Sequence, residues 1–330
     1  MKNLGIATVL TALFALMPAA AFAQAQAGLT VDVKSNTLNG ATVVGDDVTL
    51  QIYKGQEQIE SRQARVGEDG KAIFASVPTG PGLAAVASAR HQNMAFRSQP
   101  VLLSPTAAEF SASVQVFDVS TDASKLSVGI HHIMVTVRST ALEFTEYVQL
   151  KNSSDMAVIG SERDDRDRPV VVRVLLPAGF KDLTTSSYLE QEALVVAGDG
   201  FYDTMAVPPG EHQVAFSYKV DIGRGTTKIV KGITLPTSEL LVFWEHGQGK
   251  LEGLGEPNDR LVNAEGVPIE YYRRGGLKPG ESIAFEISGF NVKESDASTW
   301  VILAAAFAVI VLVAVLRLRP RSAGSGRKHG

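Results

Sequence analysis

The chain contains no cysteine in 330 residues. That absence excludes disulfides, thiol nucleophiles, thiolate zinc sites, iron–sulfur clusters and covalently attached c-type haem. It also excludes lipid modification at an N-terminal cysteine. Excess positive charge is missing too: 31 basic residues stand against 35 acidic ones, a formal net charge of −4. There is no basic footprint for nucleic acid, so no nucleic-acid partner is expected. Aromatics make up only 7% of the chain, which leaves few rings to display on a surface. No G-x-S-x-G occurs; the nearest string, Gly324-Ser325-Gly326, reads as a flexible linker. Gly247, Gly249, Gly253 and Gly255 do not make a dinucleotide fingerprint, because Glu252 takes the last glycine position and Glu256-Pro257-Asn258-Asp259 reads as a turn. Gly223-Arg224-Gly225 fails in the same way. Helical periodicity is scarce, and Ser186 to Leu194 is the one short soluble candidate.

What the chain does have begins with two long apolar runs. Lys2, the run Leu4 to Leu16, Pro18 and Ala21-Phe22-Ala23 read as a secretory signal over residues 1–23, cleaved after Ala23. Trp300 to Leu316 is apolar throughout and long enough to span a bilayer, with Leu318 extending it if Arg317 snorkels. Trp300 suits the interface. The tail carries Arg317, Arg319, Arg321, Arg327 and Lys328 without an acid, the positive-inside pattern. The expectation is a single-pass protein of the inner membrane. It contacts lipid through Trp300–Leu316 as a helix at 298–318, and leaves a basic tail, 319–330, in the cytoplasm. Of the 31 bases, one lies in the leader and five in the tail, so 25 face all 35 acids outside, a formal charge of −10. Such an ectodomain disfavours anionic partners.

The segment between these runs is written with a period of two. Leu29, Val31 and Val33 alternate with polar residues, as do Val48, Leu50 and Ile52; Ala112, Val114 and Val116; Ile133, Val135 and Val137; Val214, Phe216, Tyr218 and Val220; and Ile283, Phe285 and Ile287. One face of each strand belongs on a core and the other in water. Asn39-Gly40, Asp69-Gly70, Asp199-Gly200 and several Pro-Gly pairs punctuate the runs. The fold class expected is all-β: tandem β-sandwich domains followed by one C-terminal transmembrane helix. The divisions expected are 24–118, 119–235, and 236–297 as a third β unit or the completion of the second.

One echo recurs. Asp69-Gly70 leads to Val77-Pro78 and Gly80, and Asp199-Gly200 leads to Val207-Pro208 and Gly210 at the same spacing. Each stretch reads as turn, short strand, proline-glycine turn, next strand. A third pair, Pro279-Gly280, precedes the strand Glu281 to Phe290. Within residues 29–103, Asn39-Gly40-Ala41 precedes the strand Val48–Tyr53. Val66-Gly67-Glu68-Asp69-Gly70-Lys71-Ala72-Ile73-Phe74, Val77-Pro78-Thr79-Gly80 and the strand Leu83–Ala89 follow. This stretch resembles the carboxypeptidase regulatory-like domain, a transthyretin-like (prealbumin-like) seven-stranded sandwich. Residues 119–295 look like the extra β domains of other membrane-anchored bacterial envelope proteins of this type. The resemblance implies a non-catalytic module, so no catalytic residue carries over.

Candidate sites are correspondingly few. Glu162-Arg163-Asp164-Asp165-Arg166-Asp167-Arg168 interleaves four acids with three arginines and lacks EF-hand spacing. It reads as a salt-bridged loop and a candidate for docking a protein partner, with the glycine-rich loop 245–257 second. His131 and His132 are adjacent in a strand and point to opposite faces, so they do not share an ion. His91 and Met94 offer copper two soft ligands without a third. Neither metal nor cofactor is expected. The function expected is a non-catalytic periplasmic scaffold or docking module for an envelope complex, with a protein partner. The alternative is a glycan-binding module using Tyr202, Trp244, Tyr271 and Tyr272 as ring platforms.

Overall fold

The computed structural model describes residues 25–290, apart from 139, 188, 190–192, 224 and 263–265. The leader, Trp300–Leu316, Trp300, Arg317, Arg319 and Arg321 lie outside the described residues. Among those described, no helix is long and apolar enough to cross a membrane.

The first unit has eight strands: β1 (Gln26–Ser35), β2 (Asp47–Lys54), β3 (Glu57–Arg65), β4 (Lys71–Pro78), β5 (Leu83–His91), β6 (Met94–Arg97), β7 (Val101–Leu102) and β8 (Glu109–Val116). One sheet runs β4-β1-β8 and the other β3-β2-β5-β6, with β7 also on β5. The alternating residues explain the layering. Leu29, Val31 and Val33 from one sheet and Val48, Leu50 and Ile52 from the other are buried, as are Ala112, Val114 and Val116. Their polar neighbours face water, the arrangement a two-sheet sandwich requires. Asp69-Gly70 makes the tight turn into β4, with Gly70 at φ +76°, a value that favours glycine.

A linker follows, with β9 (Val119–Ser120) and a short 3-10 turn over Ala123–Lys125. The second unit contains β10 (Leu126–Val137), β11 (Ala141–Asn152), β12 (Ala157–Val158), β13 (Glu162–Arg163), β14 (Pro169–Val170), β15 (Val172–Leu175), β16 (Phe180–Ser187), β17 (Leu194–Ala197) and β18 (Gly200–Asp203). It continues with β19 (Gly210–Asp221), β20 (Thr226–Gly232), β21 (Thr237–Glu245), β22 (Lys250–Glu252), β23 (Asp259–Val262), β24 (Pro268–Leu277) and β25 (Ser282–Ser288). Its main sheet has seven strands in the order β16-β19-β11-β10-β21-β24-β23. All of its pairs are antiparallel except β10 with β21. Two three-stranded sheets, β15-β18-β17 and β20-β25-β22, accompany it. Phe201 of β18 meets Phe216 of β19 edge to face at 5.0 Å, which locates the packing between layers.

One feature departs from the sequence reading. Ser186 and Ser187 close strand β16 and Leu194 opens β17, so these parts of the candidate helix are strand; 188 and 190–192 lie outside the described residues. Pairing with β19 places Ser186 opposite Ala215, and the ladder overrides the local helical pattern. Of the two alternatives left open for 236–297, the described residues 236–290 join the second unit, because β21, β24 and β23 extend its main sheet and β25 pairs with β20. The register of β10 also shifts between Val128 and His131. This bulge lets Val128 and His131 both face inward although they are three residues apart.

The two units meet without a break in their apolar interior, one continuous cluster running from Leu29 to Ile287. Asp118 ties the junction. Both its oxygens accept the Ala41 N–H at 3.1 Å, and its own N–H donates to Thr37 Oγ1 at 2.8 Å. The His91 ring lies between two carboxylates, Nδ1 at 2.7 Å from Asp46 and Nε2 at 3.2 Å from Asp118.

Candidate functional site

The loop 162–168 is the tip of the hairpin β13–β14. Its shape comes from one side chain. Asp164 accepts the backbone N–H groups of Arg166 at 3.0 Å and Arg168 at 2.8 Å, and the Arg168 guanidinium at 2.9 Å. The Tyr202 hydroxyl of β18 donates to the same carboxylate at 3.1 Å. Burial raises the Asp164 carboxyl, but these donors more than reverse it and hold it at about 2. Asp167 sits at φ +61° to close the turn. Glu162, Arg163, Asp165, Arg166 and Asp167 are left exposed, so the tip offers alternating charges on a rigid base.

The four candidate rings share no exposed face. Trp244 and Tyr272 are buried in the core of the main sheet, and the Tyr272 hydroxyl donates to Glu270 at 3.2 Å. Burial and then Glu270 push that hydroxyl up to about 12. Tyr202 is buried under Arg173, whose guanidinium lies 5.6 Å from the ring centre. Tyr271 is half-buried on the opposite face of β24, 6.1 Å from Phe243. The alternation explains this: neighbours on a strand cannot both be displayed, and Trp244 falls on the apolar phase of β21. In the glycine-rich loop, Gln248 turns inward and accepts the Val137 N–H at 2.6 Å. The His91 nitrogens are engaged by Asp46 and Asp118, so the ring is not offered to a metal with Met94. Among the described residues no three His, Asp or Glu side chains gather as a metal set.

Sequence reasoning missed a cluster in the second unit. Glu146 of β11 is 0% exposed and Lys231 of β20 is 2% exposed. Lys231 Nζ lies 2.8 Å from each Glu146 oxygen. His131 Nε2 is 2.7 Å from Oε2, and the Tyr218 hydroxyl donates to Oε1 at 2.6 Å. Tyr218 stacks on Phe144 at 4.9 Å, and the Lys231 ammonium lies 5.4 Å from the Phe216 ring centre. Burial alone would raise the Glu146 carboxyl, yet the Lys231 charge and the His131 contact reverse it and hold it at about 2. Burial outweighs the carboxylate at Lys231 and pulls the ammonium below its usual range. Burial and Glu146 together push the Tyr218 hydroxyl well above its own. A signal for the cluster was present. Glu146 takes the inward phase of Leu142, Phe144, Val148 and Leu150, and Lys231 that of Thr227 and Ile229. A charge at an inward position demands a partner.

No protein family model matches the chain, and no curated protein matches it. Among solved structures, a two-domain M1 zinc metallopeptidase aligns at 10% identity and TM-score 0.30, over 49% of this chain and 43% of its own. This chain therefore spans less than half of that protein. The major pilin SpaD of Corynebacterium diphtheriae aligns at 10% identity and TM-score 0.19, over 79% of this chain and 82% of its own. A DUF3823 family protein of Parabacteroides merdae aligns at 12% identity and TM-score 0.20, over 63% and 91%. Likeness this slight says nothing about activity. The all-β sandwich architecture stands on the strand pairing itself.

Proposed function

We propose that the chain is a membrane-anchored extracytoplasmic β-sandwich protein that works without catalysis, as a scaffold or docking module for an envelope complex. In this reading residues 24–118 are a carboxypeptidase regulatory-like sandwich. The apolar run Trp300–Leu316 holds the protein in the inner membrane, with residues 24–299 in the periplasm. The observation that carries the docking role is the hairpin tip 162–168. Asp164 freezes its backbone through three charge-assisted contacts, so its exposed charges are presented with little ordering cost on binding. Alternating acids and arginines suit a protein partner of complementary charge pattern better than a polyanion.

A photo-crosslinking residue placed at Arg166 in the anchored protein, in intact cells, tests this. The expected result is a discrete adduct with one envelope protein, lost when the probe is moved to Lys250. Adducts that are the same from both positions, or none from Arg166, would overturn the docking assignment. Protease treatment of spheroplasts tests the orientation separately: the bulk of the chain is expected to be digested, and a protected bulk would refute it.

A further inference from the structure

Strand β8 ends the sheet β4-β1-β8, so one of its edges has no neighbouring strand among the described residues. Its parallel ladder with β1 runs from Gly28 opposite Glu109 to Ser35 opposite Val116 without a shift. The bonds at the two ends of that ladder show which peptide groups it uses. Gly28 N–H donates to the Ala108 carbonyl at 3.1 Å, and Asn36 N–H to the Val116 carbonyl at 2.9 Å. Peptide groups alternate in direction along a strand, so Phe110, Ala112, Val114 and Val116 turn theirs towards β1. The N–H and C=O groups of Glu109, Ser111, Ser113 and Gln115 point the other way, and no described residue bonds them. All four side chains are exposed, so water reaches this edge.

Edges elsewhere in the protein are blunted, as edges open to solvent usually are. β3 sets Glu57, Glu60, Arg62 and Arg65 along its length. β4 and β16 are interrupted by register shifts. β6, β7, β17, β22 and β23 are two to four residues long, and β15 and β20 lie against each other. β8 has eight residues, no register shift, and no lysine, arginine or proline. An edge of this kind recruits another strand.

We propose that β8 pairs antiparallel with β8 of a second copy of this chain, joining two three-stranded sheets into one of order β4-β1-β8-β8-β1-β4. A two-fold axis closes this contact, because the same edge serves both chains. The free peptide groups set the register. With the axis at Ala112, Glu109 stands opposite Gln115 of the second copy and Ser111 opposite its Ser113, so the open groups of all four residues find partners. Moving the axis by one residue sets Glu109 or Gln115 against a residue outside β8. Charge agrees with the central register: Glu109 meets no like charge across the pair, and serine meets serine on the solvent face. On the inner face Ala112 meets its own counterpart, and its small side chain suits the close approach of a non-hydrogen-bonded pair, about 4.5 Å between Cα atoms. One pair of strands buries less than a standard interface, so the dimer is reversible and concentration-dependent.

The chain has no cysteine, so an introduced thiol reports on its own position alone. Full chains in detergent carrying Ser111→Cys are mixed with chains carrying Ser113→Cys and oxidised. In the proposed register these two positions face each other at about 5.5 Å between Cα atoms, within reach of a disulfide, whereas each lies roughly 9 Å from its own counterpart, out of reach. The expected result is a covalent dimer holding one chain of each kind, with little or none from either variant alone. Sedimentation of the native chain should give a mass that rises with concentration towards two copies. Ser113→Pro removes one N–H from the free edge and leaves the ladder to β1 intact, so it should melt as the native chain does and stay monomeric. Should Ser113→Pro not fold, Ser111→Lys combined with Ser113→Lys sets lysine against lysine and should likewise leave a monomer. A native chain that is monomeric at every concentration, disulfide dimers formed as readily from one variant alone as from the mixture, or a dimer that persists in the folded edge variant would each overturn the assignment.

Discussion

Lys231→Met is the sharpest probe of how the second unit is held together. The side chain is of similar length and apolar, so the substitution removes a charge more than a volume. It strands Glu146, which is 0% exposed and keeps only the Tyr218 hydroxyl at 2.6 Å and His131 at 2.7 Å. Removing one partner of a buried pair costs about 3–5 kcal/mol, because the surviving carboxylate stays out of water and loses its ammonium partner. At roughly 2–4 °C per kcal/mol for a unit of this size, the melting temperature should fall by about 6–20 °C. Thermal unfolding followed by near-ultraviolet circular dichroism measures this, since Tyr218 and Trp244 are both buried. The double variant Glu146→Gln with Lys231→Met keeps an acceptor for Tyr218 and removes the stranded charge. It should therefore recover much of the loss, a coupling that a double-mutant cycle reads directly. The sign with pH is also specified. In the native protein Glu146 is held at about 2, below its ordinary 4.5. Its contribution is present above that ordinary value and is lost as pH falls towards 2. In Lys231→Met burial is no longer opposed by the ammonium, the folded carboxyl rises, and acidification should relieve the penalty. A cost below about 1 kcal/mol, or a penalty that is flat between neutral and acidic pH, would refute the reasoning.

Three further outcomes are expected. Asp118→Asn weakens the acceptor shared by Ala41 N–H and His91 Nε2, and should cost about 1–3 kcal/mol in denaturant titration. Burial raises the Asp118 carboxyl, but Ala41 and His91 reverse it, so its share of stability disappears as pH falls through the lowered value; the variant should flatten that limb of the pH curve. Asp164→Ala releases the hairpin tip, and trypsin should cut at Arg163 or Arg166 faster than in the native chain while the melting of the rest is little changed. Gly200 sits at φ +147°, and a Cβ there would lie 2.0 Å from the Val174 carbonyl oxygen. Gly200→Ala should cost at least roughly 1–3 kcal/mol, and unchanged melting would contradict the strand pairing of β15 with β18.

Period-two alternation settled which residues face inward, because that pattern is local: a strand alternates whatever it pairs with. Leu29, Val31, Val214, Phe216 and Phe285 are buried on that basis, and Asp69-Gly70 and Asp199-Gly200 stand at strand junctions. The charged tip 162–168 was legible as a loop from its composition. Its tie to β18 was not, since that rests on Tyr202 reaching Asp164 across 38 residues. The expected ring platforms failed for a related reason. Composition finds a tryptophan, but only pairing decides that Trp244 faces the interior of a seven-stranded sheet. The ion pair shows the division most clearly. Each charge could be seen to occupy an apolar phase, Glu146 on one strand and Lys231 on another. Their partnership spans 85 residues and joins two different sheets. Alternation runs along one strand and carries no information about which strand lies opposite; that choice is made by the whole packed arrangement, where a buried charge must find its counterion or unfold the protein.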